Sequence, residues 1–120
     1  MAPLVCQGIV EGLLTPRAIH QLECYEAAVQ WSRTEGFIVA PETSHAVAAV
    51  VQEAKKAKEE GKEKTILFNL SGHGYMDLLG YSKYIHNELS DYALPQEQID
   101  KAESELEGLP KPEIKKTGKW

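Results

Sequence analysis

The residues able to do chemistry are few: Glu42, His45, Ser71 and His73, with glycines at 72 and 74. Ser71 follows the run Thr65-Ile66-Leu67-Phe68-Asn69-Leu70 and precedes Gly72-His73-Gly74. That run is too short for a helix and reads as a buried parallel strand. The two glycines let the backbone bend sharply and let a bound molecule come close to it. In open α/β sheets ligands sit just beyond the carboxyl ends of the strands, so the Ser71 hydroxyl is expected to face a crevice. Glu42 stands on a second loop beside a helix start. A carboxylate is electrostatically favoured there, whether as a ligand group or as a plain cap.

Other chemistries suit these residues less well. Glu42, His45 and His73 taken as metal ligands leave a site one ligand short and without a spacing signature. A serine hydrolase elbow needs glycine where Asn69 stands. Cys6 and Cys24 have neither metal nor redox spacing and read as reduced thiols. His45, one turn into a helix, reads as a packed or capping histidine.

The elements that must position these groups follow from patterning. Leu4 to Leu14 is apolar but broken by Gly8 and Gly12, which allows a short helix. Thr15-Pro16 signals the start of the next one, which carries Ala18, Leu22, Tyr25 and Val29 on one face and ends at Glu35-Gly36. Phe37 to Ala40 reads as a strand stopped by Pro41. A helix from about Ser44 to Glu60 follows, capped by Thr43 or Ser44, with Val47, Val50, Val51 and Ala54 inward and Gly61 at its end. Strand, helix and strand in this length predict a βαβ unit with parallel strands, so the fold class expected is α/β, a three-layer segment. Its topology would open the Glu42 and Ser71 loops onto one crevice. Beyond Gly74, Asp77 is placed to cap a helix with Leu78, Tyr81, Tyr84 or Ile85, and Leu89. Pro95 opens a last helix with Ile99, Ala102 and Leu106, which ends at Gly108-Leu109-Pro110.

The chain has 120 residues and a net charge of −5, enough for one modest core and without a basic stripe for nucleic acid. The lysines at 55, 56, 58, 62 and 64 suit a helix carboxyl terminus and solvent. No signal peptide and no membrane-spanning run is evident, which predicts a soluble cytoplasmic protein.

Two motifs carry a family resemblance. Glu35-Gly36-Phe37-Ile38-Val39-Ala40-Pro41-Glu42-Thr43-Ser44-His45-Ala46 and Leu67-Phe68-Asn69-Leu70-Ser71-Gly72-His73-Gly74 resemble, in order and separation, the carboxyl-terminal part of tryptophan synthase beta chains. The closer likeness is to the second beta-chain type. The resemblance covers about residues 1–107, only the last third or so of the family's length, and Met1 falls inside the family's pattern. Residues 108–120 are expected to be a mobile basic tail.

What the resemblance implies is a fold-type II pyridoxal phosphate enzyme that joins L-serine and indole by β-replacement, giving L-tryptophan and water. Ser71 would bond the pyridine nitrogen and leave it largely neutral, a weaker electron sink than an aspartate would give but one compatible with β-elimination. Glu42 would lie near the ring hydroxyl and the substrate, His73 along the ring, and Gly72 and Gly74 would meet the loop's backbone needs. The lysine that holds the cofactor and the phosphate loop would belong to the absent part, leaving this chain inactive alone. The family forms homodimers, and an alpha-chain partner is open for the second type. A plastid location stays open if a missing amino-terminal part carries a transit peptide. Two rivals remain. One is a serine or threonine deaminase sharing the Ser-Gly loop, against which the Pro41–His45 motif counts. The other is a non-catalytic module derived from such an enzyme that binds a ligand or a partner.

Overall fold

The computed structural model describes residues 3–110. Five helices occur there: α1 Pro3–Val10, α2 Gln21–Glu35, α3 Pro41–Glu59, α4 Leu78–Ile85 and α5 Gln96–Glu105, with a 3₁₀ turn at Gly74–Met76. The described residues divide into two compact units, one of Ile19–Tyr92 and one of residues 3–18 with 93–110. The expected tail beyond Pro110 lies outside the described residues.

The unit Ile19–Tyr92 is built on α2 packed against α3, with α4 on another side of α2. Its core is small-residue in character. Cys24 and Ala27 of α2 meet Val47 and Ala48 of α3, with Ile19, Trp31 and Phe68 packed against them. Ala28, Val39 and Tyr81 form a second cluster with Tyr25, Val29, Trp31 and Ile38. Alanine at facing positions lets the two helix backbones approach closely and leaves the aromatic rings to close the flanks. Tyr25 does so against α4, edge-on to Tyr81 at 5.2 Å and stacked on Tyr84 at 5.7 Å.

The buried faces are turned from those the patterning predicts. In α2 the fully buried residues are Cys24, Ala27 and Ala28, while Leu22, Tyr25 and Val29 are half-covered. In α3 Val47 is buried as expected, but Ala48 and Ala57 join it and Ala54 is exposed. Apolar bulk marked the right helices and misjudged the face, because the closest contacts belong to the smallest residues.

The α/β reading is overturned. Among the described residues there is no strand, and the βαβ unit does not form. Phe37–Ala40 and Thr65–Leu70 take no regular secondary structure; a strand exists only through ladder partners, and the first of these segments makes its hydrogen bonds elsewhere. The Ile38 carbonyl accepts from Gly74 N–H at 2.9 Å, and the Val39 carbonyl accepts from the Tyr81 hydroxyl at 2.6 Å. Both segments are instead pinned to α2 by one ring: Trp31 sits edge-to-face with Phe37 at 5.8 Å and with Phe68 at 5.6 Å. Phe68 is thereby half-covered; Ile66 is half-covered too, while Leu67 is 95% exposed. A strand of a parallel sheet is covered on both faces; this segment is covered on one.

Helix ends also differ from expectation. α2 starts at Gln21, not after Thr15-Pro16. Its first turn is held from far along the chain: Asp91 Oδ1 accepts from Leu22 N–H at 3.0 Å, and the Gln21 side-chain amide donates to the Ser90 carbonyl. Its other end is as read, since Gly36 adopts φ +80° and donates to the Ser32 carbonyl at 3.2 Å. α4 stops at Ile85, before Leu89, and α5 begins after Pro95 as expected.

In the other unit, α1 leads into a turn in which the Leu13 and Leu14 amides both donate to the Gly8 carbonyl, at 2.9 and 3.2 Å. A Gln7 to Glu11 bond of 2.6 Å spans its last turn. α5 carries a Gln96 to Asp100 bond of 2.7 Å on an exposed face, and of its expected stripe only Ile99 is half-covered.

Candidate functional site

α3 begins with Pro41, which lacks the N–H that would otherwise be unsatisfied at a helix start. Neither residue expected to cap the helix does so. The Ser44 hydroxyl turns back to the Pro41 carbonyl. Thr43, itself buried, reaches across to the loop 28 residues on. Its hydroxyl donates to the Ser71 carbonyl, its oxygen accepts from Ser71 N–H at 3.3 Å, and Ser71 Oγ stands 3.2 Å from it.

The rest of the Ser71 loop lies along the same stretch of chain. Gly72 has φ +67°, a conformation side chains adopt at a cost, and a Cβ there would approach Ala40 Cβ to 3.3 Å. Gly74 is buried over Ile38 and Val39; a Cβ would overlap the Ile38 side chain and come within 2.5 Å of the Val39 carbonyl oxygen. Three ties therefore bind residues 71–74 to residues 38–43: Thr43 to Ser71, Ala40 beside Gly72, and the Ile38 carbonyl to Gly74. The loop's backbone is fixed while the side chains of Ser71 and His73 are exposed. The His73 ring stands 5.1 Å from that of Tyr75.

Glu42 is exposed in the first turn of α3, where the helix dipole favours its charge. Its side chain borders a cavity of about 240 Å³ lined also by Gln21, Cys24, Tyr25, Pro41, Ser44 and His45. Ser71 is not in that lining. The structure thus brings Ser71 to Thr43, the chain neighbour of Glu42, and places Glu42 itself with Cys24 and His45.

His45 is exposed, with Nδ1 3.2 Å from the Cys24 sulfur. Burial, and then the nearby charge of Glu23, push the Cys24 thiol above its ordinary pKa. The thiol is therefore less ready to ionise than an exposed one. Burial likewise pushes Tyr81 up, to about 12, with Tyr25 and Asp77 adding to it.

Among the described residues no three histidine, cysteine or acidic side chains are grouped to hold a metal ion, and no helix is long and apolar enough to cross a membrane. Sequence reading missed the parts played by Thr43 and Tyr81. No local signal set Thr43 apart, since a hydroxyl in the first turn of a helix suits a cap as well as a distant bond.

No family model matches the chain. It is 56% identical over 90 residues to tryptophan synthase beta chain 2 of Aquifex aeolicus, covering 75% of this chain and 21% of that protein. It is 51% identical over 92 residues to tryptophan synthase beta chain of Thermococcus onnurineus, covering 77% and 21%. The same shares hold at 50% identity for tryptophan synthase beta chain 2 of Pyrococcus abyssi. The chain spans about a fifth of the length of these curated relatives. The resemblance read from the two motifs is borne out as similarity to a segment of tryptophan synthase beta chains, the second type included.

Proposed function

We propose that this chain serves as the carboxyl-terminal part of a tryptophan synthase beta chain, with residues 1–107 as the family segment. The reaction is the pyridoxal phosphate-dependent β-replacement that joins L-serine and indole into L-tryptophan, releasing water. The observation that carries this reading is the 56% identity over 90 residues to a beta chain 2. Nothing in the structure favours a deaminase or a non-catalytic module over it.

The donor set suits one edge of the cofactor. Pyridoxal phosphate has a ring nitrogen that takes a single hydrogen-bond partner, and Ser71 offers one exposed neutral hydroxyl on a fixed backbone. Gly72 leaves the Ala40 side open where a Cβ would crowd it. Every described lysine is exposed, and we assign none of them to the cofactor.

When bound, pyridoxal phosphate supplies the electron sink for loss of the serine hydroxyl. Ser71 binds and orients at the ring nitrogen, and being neutral it does not hold a proton there as an aspartate would. Glu42, on the helix turn that also carries Ser71's anchor, would lie toward the ring hydroxyl and the substrate. Gly72 and Gly74 would meet the loop's backbone needs, and His73 would line the ring. A homodimer in the cytoplasm, with an alpha chain as a further partner, completes the reading.

The test is a hybrid in which this chain's matched segment replaces that of the Aquifex aeolicus beta chain 2. The hybrid is expected to form tryptophan from serine and indole. Ser71→Ala and Ser71→Asp should each shift the cofactor's absorption, and Glu42→Ala should reduce turnover more than folding. A folded, cofactor-loaded hybrid that makes no tryptophan would overturn the reading.

A further inference from the structure

A threonine in the first turns of a helix ordinarily spends its hydroxyl on that helix's own backbone. Thr43 does not. A hydroxyl has one proton to give and two lone pairs to offer, and all three capacities of Thr43 are directed at Ser71: the proton to its carbonyl, one lone pair to its N–H at 3.3 Å, and the other toward its Oγ at 3.2 Å. The asymmetry between the partners matters. Thr43 is buried and, being β-branched, is stiff about its first side-chain bond. Ser71 is exposed.

We propose that Thr43 is the positioning residue for Ser71. It fixes the serine's backbone and hydroxyl from beneath, so that one turn of α3 sets both Glu42 and Ser71. This rests on the proposed role of Ser71 but adds a residue to it. It also fixes a proton. With Thr43's own proton on the Ser71 carbonyl, Ser71 must be the donor within the hydroxyl pair. At rest the serine therefore turns its hydrogen inward and its lone pairs outward, and it releases that hydrogen from Thr43 when an outside acceptor binds. Release is easy, since the Thr43 oxygen keeps the Ser71 N–H.

The experiment has two parts. In the 120-residue chain, amide hydrogen exchange is followed by two-dimensional NMR for Thr43→Val, which keeps the shape and loses the hydroxyl, and for Thr43→Ser, which keeps the hydroxyl. Exchange at Ser71 is expected to rise about tenfold in the valine variant and to stay near the parent rate in the serine variant, with core amides of α2 unchanged. A uniform rise across all amides would make Thr43 a general packing residue and overturn the proposal, as would an unchanged Ser71 rate. In the hybrid enzyme, Thr43→Val should shift the cofactor's absorption in the sense that Ser71→Ala does, and Thr43→Ser should restore it. If Ser71→Ala shifts the spectrum and Thr43→Val does not, the positioning role fails. If Ser71→Ala itself leaves the spectrum unchanged, the nitrogen contact fails instead, and the exchange result still decides the clamp.

Discussion

The Tyr81 hydroxyl donates to the Val39 carbonyl at 2.6 Å, joining α4 to the segment that leads into α3 across 42 positions of chain. Both residues are buried. A carbonyl in that position has no water to turn to if its donor is removed. Tyr81→Phe is therefore expected to destabilise the chain by about 1–3 kcal/mol, measured as a lower midpoint in urea with an unchanged slope. The same tyrosine sets an alkaline limit. Its folded pKa, about 12, lies above the ordinary value of 10.0. The stability it contributes is complete below pH 10 and is lost as the pH rises toward 12. Urea midpoints taken between those values should fall more steeply in the parent than in Tyr81→Phe.

The distal cap on α2 gives a second expectation. Asp91→Ala removes the acceptor for the Leu22 amide and should cost about 0.5–2 kcal/mol, while Asp91→Asn, which keeps a side-chain oxygen, should recover most of it. Thr15→Ala should change little, because α2 does not begin there. Equal losses in all three variants would show that the helix start is held by something else.

The glycine loop separates two kinds of requirement. Gly74→Ala must displace the Ile38 side chain or the backbone at Val39, and about 1–3 kcal/mol of overpacking is expected. Gly72→Ala meets only Ala40 at 3.3 Å, but it must hold φ at +67°, a cost of about 1 kcal/mol. Thermal unfolding of the two variants should rank Gly74→Ala as the less stable.

Thiol labelling offers a simple check of the core. Cys6 is exposed and Cys24 is 2% exposed with its thiol pKa raised by burial. One thiol per chain should react rapidly with a disulfide reagent, and the second only after denaturant is added. Cys6→Ser should abolish the fast phase alone. Two fast thiols would mean that the packing of α2 against α3 is looser than described.

Much of the helical framework could be read from the residues, and so could the loop at Ser71–Gly74. Gly36 stopped α2 and Pro95 opened α5 as read, because backbone preference at such positions is local, whereas α3 opens at Pro41 and takes in Glu42, expected instead on a loop before a helix from Ser44. The strands could not be read correctly. Val39 and Phe68 have the apolar, β-prone character of strand residues, yet a ladder depends on neighbours that no local pattern reveals. Here Tyr81, Gly74 and Trp31 take the contacts that strand neighbours would have made. Ser71 and its glycines were legible because their residue types limit what a loop can do. Thr43 was not, because its hydroxyl suited a local cap as well as the distant bond it makes.

The bond from Leu22 N–H to Asp91 also bears on how the chain is made. Its partners are 69 residues apart. At the pace of protein synthesis, Leu22 is added to the chain roughly 3 to 14 s before Asp91 is. During that interval the Leu22 amide is without this partner. The segment that contributes most to the core is thus the last to be secured at its start, and a ribosome that stalls before Asp91 would release a chain with that end of α2 still frayed.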